Sequence, residues 1–238
     1  MKLQGLGEYK EFAKVTLLQV YFTYIQAIPL ITVGALAIGS VIAFQAQLGL
    51  SFMTRLENIG LILNTILFRE ITPLFITILI VIRSITAITS ELATMKVNRE
   101  IDALNKMGIS IDKFLIRPRV FAGSISFFCM SLSFFIMAFL GHWLFLNIES
   151  NITLGSLIHF FSTTVEPIHL IFFVLKTFLI GGFIVHRACY YGLCTERATF
   201  EIPIVTNKSV VECLILGVGL QIALTSLSYM ITGLGALF

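Results

Sequence analysis

Long apolar runs separated by short polar clusters dominate the chain. Five runs approach the roughly 20 residues that a helix needs to cross a bilayer. They are Ile25 to Gln47, Ile71 to about Thr89, Val120 to Leu146, about Ile168 to Val185, and Leu214 to Leu234. Ahead of the first, Phe12, Val15, Leu18 and Phe22 alternate with Lys10, Glu11, Lys14 and Gln19 at a helical period. That pattern predicts an amphipathic helix over residues 1–24 lying in the membrane interface, followed by one membrane domain over 25–238. The fold class expected is an all-α integral membrane protein with five transmembrane helices.

Composition agrees and excludes much else. Of 238 residues, 57% are hydrophobic and only 12% charged, too few charges to cover a water-soluble surface. Disorder, a disulfide scaffold and nucleic-acid binding are excluded on the same ground, because 22 Phe and few charges fit none of them. The mixed charges before residue 15 do not resemble a cleavable signal. Orientation follows from Lys and Arg placement: with the N-terminus in the cytoplasm, inner segments hold twelve of the sixteen basic residues and outer ones only Arg55. The expectation is a multi-pass protein with a cytoplasmic N-terminus and a periplasmic C-terminus.

Charges at membrane depth are costly and mark places where the chain has other plans for them. The second run lies in a stretch from Leu61 to Thr89 that is too long for one straight crossing and that Arg69, Glu70 and Pro73 interrupt; Pro removes a backbone donor and favours a kink. The interruption is either an interfacial turn with Arg69 and Glu70 at headgroups, or a kink beside a cavity. Arg83 and Glu91 lie eight residues apart, about 12 Å along a helix, too far to pair with each other. Arg83 either snorkels to the surface or contacts a headgroup or another helix, and Glu91 either joins it or begins the next loop. Lys176 sits near the middle of the fourth span, beyond reach of water, and predicts a polar pocket or a helix interface. His142 and His169 near span ends, and His159 in a loop, read as interfacial polar residues.

Between the second and third spans, residues 98–108 read as a short cytoplasmic helix. Asn98 is a candidate N-cap, Glu100 and Asp102 suit the first turn, Lys106 the last, and Gly108 a left-handed stop. Ile101, Leu104 and Met107 form an apolar row at three-residue spacing, able to seat in a partner's groove or to cover the bundle's end. No P-loop, HExxH, GxSxG or metal-binding arrangement occurs, and the four cysteines show no CxxC pair. No catalytic residue, metal site or cofactor is expected on this chain. A membrane subunit without a motor implies that the motor is another polypeptide.

Several motifs then bring a family into view. Arg69-Glu70-Ile71-Thr72-Pro73, Arg83, Ser90-Glu91-Leu92-Ala93-Thr94-Met95-Lys96-Val97, Glu100-Ile101-Asp102-Ala103-Leu104, Met107-Gly108-Ile109 and Pro118-Arg119-Val120 resemble, in order and spacing, MlaE-type permeases. Gln45, Lys176, Gly181 and Tyr191-Gly192-Leu193 extend the likeness to roughly residues 30–230. The resemblance implies the membrane subunit of an ABC transporter of phospholipid in the bacterial inner membrane, associated with MCE-domain proteins and serving outer-membrane lipid homeostasis. It further implies a homodimer and a separate ATPase that carries ATP and Mg. Glu100, Ile101, Asp102, Leu104 and Met107 would form the coupling helix, and Gln45, Arg83, Glu91 and Lys176 would border the lipid cavity. Two departures stand out: Gln221 where the family usually has an acidic residue, and the only partly matching stretch from Phe200 to Val211. The alternatives are an ion- or proton-coupled carrier using Glu91 and Lys176 without an ATPase, and a membrane-embedded lipid enzyme. The second is disfavoured because the four His lie in different segments.

Overall fold

The computed structural model describes residues 16–50, 63–150, 153–164, 167–196 and 198–235. Among these every regular element is a helix. In chain order they are α1 (residues 16–25), α2 (Ile28–Leu50), α3 (residues 63–97), α4 (Glu100–Lys106), a π-helical turn (Asp112–Ile116) leading into α5 (Arg117–Ser150), α6 (Leu154–Thr164), α7 (Pro167–Leu193) and α8 (Glu201–Gly235). Five of them, α2, α3, α5, α7 and α8, are long and apolar enough to cross a membrane. The expected interfacial helix falls partly on residues 1–15, which lie outside the described residues. Its described part, α1, leaves Leu17, Leu18, Tyr21 and Phe22 half or more exposed, an apolar face that its own chain does not cover.

The helices overrun the apolar stretches that predict them. The 34 residues of α5 extend about 50 Å at 1.5 Å per residue, well beyond a hydrocarbon core of about 30 Å. Prolines mark where helices can begin, since the first turn has no use for the missing N–H: Pro29 in α2 and Pro203 in α8 sit there, whereas Pro118 follows a π-helical turn, Asp112–Ile116, that runs unbroken into α5. In α3 the winding changes twice, with π-helical turns at Leu63–Ile71 and Val81–Ile85 flanking the α-helical Thr72–Ile80, and Thr86–Val97 completing it. The first change ends immediately before Thr72-Pro73, and the second is centred on Arg83. Widened turns of this kind recur at functional positions.

The chain divides into two compact units. One comprises the described residues of Met1–Gln26 with Thr77–Phe128 and Thr177–Ala223. In it, polar side chains knit the spans: Thr89 and Ser209 hydroxyls meet at 2.9 Å, and the Cys213 thiol donates to the Ile184 carbonyl at 3.5 Å. Gly192, part of the Tyr-Gly-Leu motif, packs where a Cβ would meet Leu92 and the Thr89 carbonyl, so its conservative role here is close helix approach.

The other unit comprises Ala27–Ile76, Cys129–Lys176 and the described residues of Leu224–Phe238. Its core is aromatic. Phe68 of α3 stacks on Phe173 of α7 with ring centroids 4.3 Å apart and meets Phe135 of α5 edge-on at 4.9 Å. Backbones of α2 and α5 touch, because Gly39 lies against Ala138 and Gly141 against Leu36 with no space for a Cβ at either glycine. Beside that contact His142 is fully buried. The glycine next to it draws α2 over it.

Candidate functional site: two polar sites in the spans

In the second unit Lys176 of α7 is 8% exposed, and its ammonium is met by three groups. Nζ donates to the Thr225 hydroxyl at 2.6 Å and to the Arg69 carbonyl at 3.0 Å, and lies 3.6 Å from Glu70 Oε2. The α-helical donor to the Arg69 carbonyl is missing for a local reason. In an α-helix it would accept from the N–H four residues on, but that residue is Pro73, which has none. Thr225 donates in turn to Glu70 Oε2 at 3.0 Å. Arg69 donates from Nη2 to the Ser228 hydroxyl at 2.9 Å and lies over the Tyr229 ring at 4.2 Å. Arg69, Glu70 and Pro73 thus supply a carbonyl, a carboxylate and a missing N–H to one cluster around Lys176. A cavity of only about 30 Å³, space for a single water, adjoins Arg69, Lys176, Ser228 and His169.

Thr225, Ser228 and Tyr229 escape sequence reasoning, although a signal exists. They stand three and four residues apart, a polar stripe on one face of the last apolar helix.

The first unit holds a larger site. Arg83 donates from Nη2 to Gln26 Oε1 at 2.8 Å, and Arg119 from Nη2 to Glu91 Oε1 at 2.8 Å. All four line a cavity of about 500 Å³, together with Gln19 and Thr23 of α1 and Ser84 of α3. Arg83 and Glu91, unable to pair with each other along α3, therefore share one cavity and find partners on other elements. Gln26 and Arg119 are additions to the sequence-derived set, and Arg119 was visible only as part of the Pro-Arg-Val motif. Leu18, Phe22 and Phe114, all at least half exposed, complete the wall.

The short helix between the second and third spans is present as α4. Gly108 ends it at φ 76°, as expected of a left-handed stop. Its start differs from expectation. Asn98 closes α3, its N–H bonding the Thr94 carbonyl at 2.9 Å, and Arg99 takes the left-handed position at φ 61° with no side-chain cap. The reason is that α3 runs on to Val97 and consumes Asn98 as its own terminus. Lys96 and Asp102 stand 3.8 Å apart across the turn. The apolar row divides: Ile101 is 1% exposed and belongs to this chain's own core, Leu104 is half-buried, and Met107 is 66% exposed.

Other residues stay apart from both sites. Gln45 is exposed near the end of the described side chains of α2 and is not among the lining residues of either cavity. Gln221 is buried in α8 at 3% exposure. A helix unforeseen in the sequence, α6, occupies the segment read as a loop around His159. Thr153 and Ser156 bond one another at its start, and Leu157 is buried beneath it. The cysteines are all free, with Cys189 and Cys213 buried, Cys129 partly so and Cys194 exposed.

Comparison with known proteins bears on these sites. The family model described as Permease MlaE matches residues 16–227, a range containing both polar sites and α4. A probable ABC transporter permease protein of Rickettsia felis is 28% identical over 202 residues, covering 83% of this chain and 76% of the relative. The intermembrane phospholipid transport system permease protein MlaE of Haemophilus influenzae is 23% identical over 231 residues, covering 95% and 87%. The chloroplastic protein trigalactosyldiacylglycerol 1 of Arabidopsis thaliana is 26% identical over 159 residues, covering 67% of this chain and 45% of that protein. With five apolar helices carrying the family's motifs along most of its length, this chain is a multi-pass membrane protein that belongs to the MlaE permease family.

Proposed function

We propose that the chain is the membrane subunit of an ABC transporter that moves phospholipid between the bacterial inner membrane and periplasmic MCE-type carriers. In this reading it works as a homodimer with the N-terminus cytoplasmic, and a separate subunit binds and hydrolyses ATP with Mg. The phospholipid assignment is supported by the printed name of the Haemophilus relative, and the permease role by the family.

One observation carries the coupling half of the reading. α4 anchors itself through buried Ile101 yet leaves Leu104 and Met107 available at the end of α3, the span that bears Arg69, Glu70, Arg83 and Glu91. A helix fixed on one side and unsatisfied on the other can pass a push from a docked partner into that span. The homodimer is supported by α8, whose apolar stretch is 17% buried against 50% for α3, so that most of it awaits lipid or a second copy. The Arg83–Glu91 cavity offers such transport a polar station within this chain.

Co-expression with the candidate ATPase tests it. Leu104→Asp is expected to abolish co-purification of the ATPase while leaving membrane insertion and thermal stability intact, because its side chain is only half-buried. Recovery of a normal complex from Leu104→Asp would remove the coupling assignment. Reconstitution of the complex with labelled phospholipid, showing ATP-dependent transfer to or from an MCE-domain acceptor, tests the substrate. An ion-coupled carrier would instead transport without any ATPase.

A further inference from the structure

We infer that the cavity lined by Arg83 and Arg119 binds a phosphate oxyanion, with the acyl chains of a phospholipid continuing over its apolar mouth. The inference rests on the phospholipid reading above for the source of the phosphate, and concerns binding by this chain alone.

Charge is the first observation. Arg83 and Arg119 bring two guanidinium groups to one cavity and Glu91 brings one carboxylate, leaving a surplus of one positive charge, equal and opposite to a phosphodiester. Gln26 absorbs a donor of Arg83 without neutralising it.

Unused donors are the second. Arg119 is 7% exposed, and Nη1 of both Arg119 and Arg83 is buried without a hydrogen-bond partner among the described residues. A buried guanidinium with unmade bonds is a costly arrangement that an incoming oxyanion relieves. Guanidinium geometry matches phosphate, since its planar fork can donate to two oxygens at once. The π-helical turn at Val81–Ile85 is the local feature that carries Arg83.

Size and wall chemistry are the third. About 500 Å³ is ample for a phosphate with its glycerol, and within the usual range of ligand sites. The rim is apolar: Phe22, Phe114 and Leu18 are 56%, 52% and 50% exposed, surfaces that suit acyl chains better than water. A soluble phosphate would use the arginines and leave this rim idle.

The test measures binding to the purified full chain in detergent, by native mass spectrometry and by thermal shift. The probes are dioleoyl phosphatidylglycerol, dioleoylglycerol, which lacks the phosphate, and inorganic phosphate. Phosphatidylglycerol is expected to be retained and dioleoylglycerol not. Arg83→Gln should weaken phosphatidylglycerol about tenfold or more, while Glu91→Gln, which raises the surplus charge, should tighten it. The opposite signs guard against misfolding, which would shift both variants the same way. Phe22→Ser with Phe114→Ser should weaken the lipid and leave any inorganic phosphate binding unchanged. Inorganic phosphate bound in place of the lipid supports the oxyanion site with a soluble source. Equal retention of phosphatidylglycerol and dioleoylglycerol, or no effect of either Arg83→Gln or Glu91→Gln, overturns the inference.

Discussion

The two polar sites use the same residue types to opposite ends. Around Lys176 the ammonium is enclosed: it donates two hydrogen bonds and lies 3.6 Å from the Glu70 carboxylate, Thr225 relays to Glu70, and the adjoining space holds about 30 Å³. Around Arg83 and Arg119 the guanidinium groups keep unmade bonds and border about 500 Å³. A charge inside a span is thus not a single kind of evidence. Where its bonds are closed it fixes helices together, and where they are open it is, on the inference drawn above, a place for a ligand.

Breaking the closed site should have the largest effect. Lys176→Ala removes the cation and leaves Glu70, the Arg69 carbonyl and Thr225 facing a void, with an expected loss of about 3–5 kcal/mol. Thermal unfolding in detergent measures it. Lys176→Met, which fills the volume without the charge, should recover part of that loss if Glu70 can reach Thr225 alone. A Lys176→Ala protein as stable as the parent would falsify the structural role of the cluster.

A smaller effect is expected from the backbone contact in the same unit. Gly141→Leu places a side chain against the Leu36 backbone, where no flexible neighbour can yield, and should cost about 1–3 kcal/mol. Gly155→Leu is the control, since nothing lies within 4 Å of a Cβ there. Equal melting of the two variants would show that α2 and α5 are not held at the distance described.

The open site should be the least sensitive in stability. Glu91 keeps 58% of its side chain exposed, so the pair with Arg119 is partly solvated and Glu91→Gln should change stability by about 1 kcal/mol or less. Its consequence is expected in anion binding instead. A loss comparable to that of Lys176→Ala would erase the contrast between the two sites and make both structural.

The division between legible and hidden features follows the same contrast. That Arg69, Glu70, Arg83, Glu91 and Lys176 need partners is evident from their depth in apolar runs. Which partners they have is not, because Lys176 lies 107 residues from Arg69 and 49 from Thr225, and Arg83 lies 57 from Gln26. The Thr225, Ser228 and Tyr229 stripe looks like ordinary span polarity until something stands opposite it. Ile101 shows the limit from the other direction, since a row at helical spacing does not say which member its own chain will bury.

Five membrane helices, the short helix stopped by Gly108 and the exclusion of a water-exposed surface follow from the sequence by itself. Those properties depend on the chemistry of consecutive residues: a bilayer demands an unbroken apolar length, and a left-handed stop favours a residue without a Cβ. Tertiary structure alone decided the meeting of Lys176 with the Arg69 carbonyl, the loss of Asn98 to the end of α3, the helix at Leu154–Thr164, and the burial of His142. Each depends on which helix stands alongside at that height, and hydropathy along a chain measures depth in the membrane but not the direction a side chain faces or what waits there.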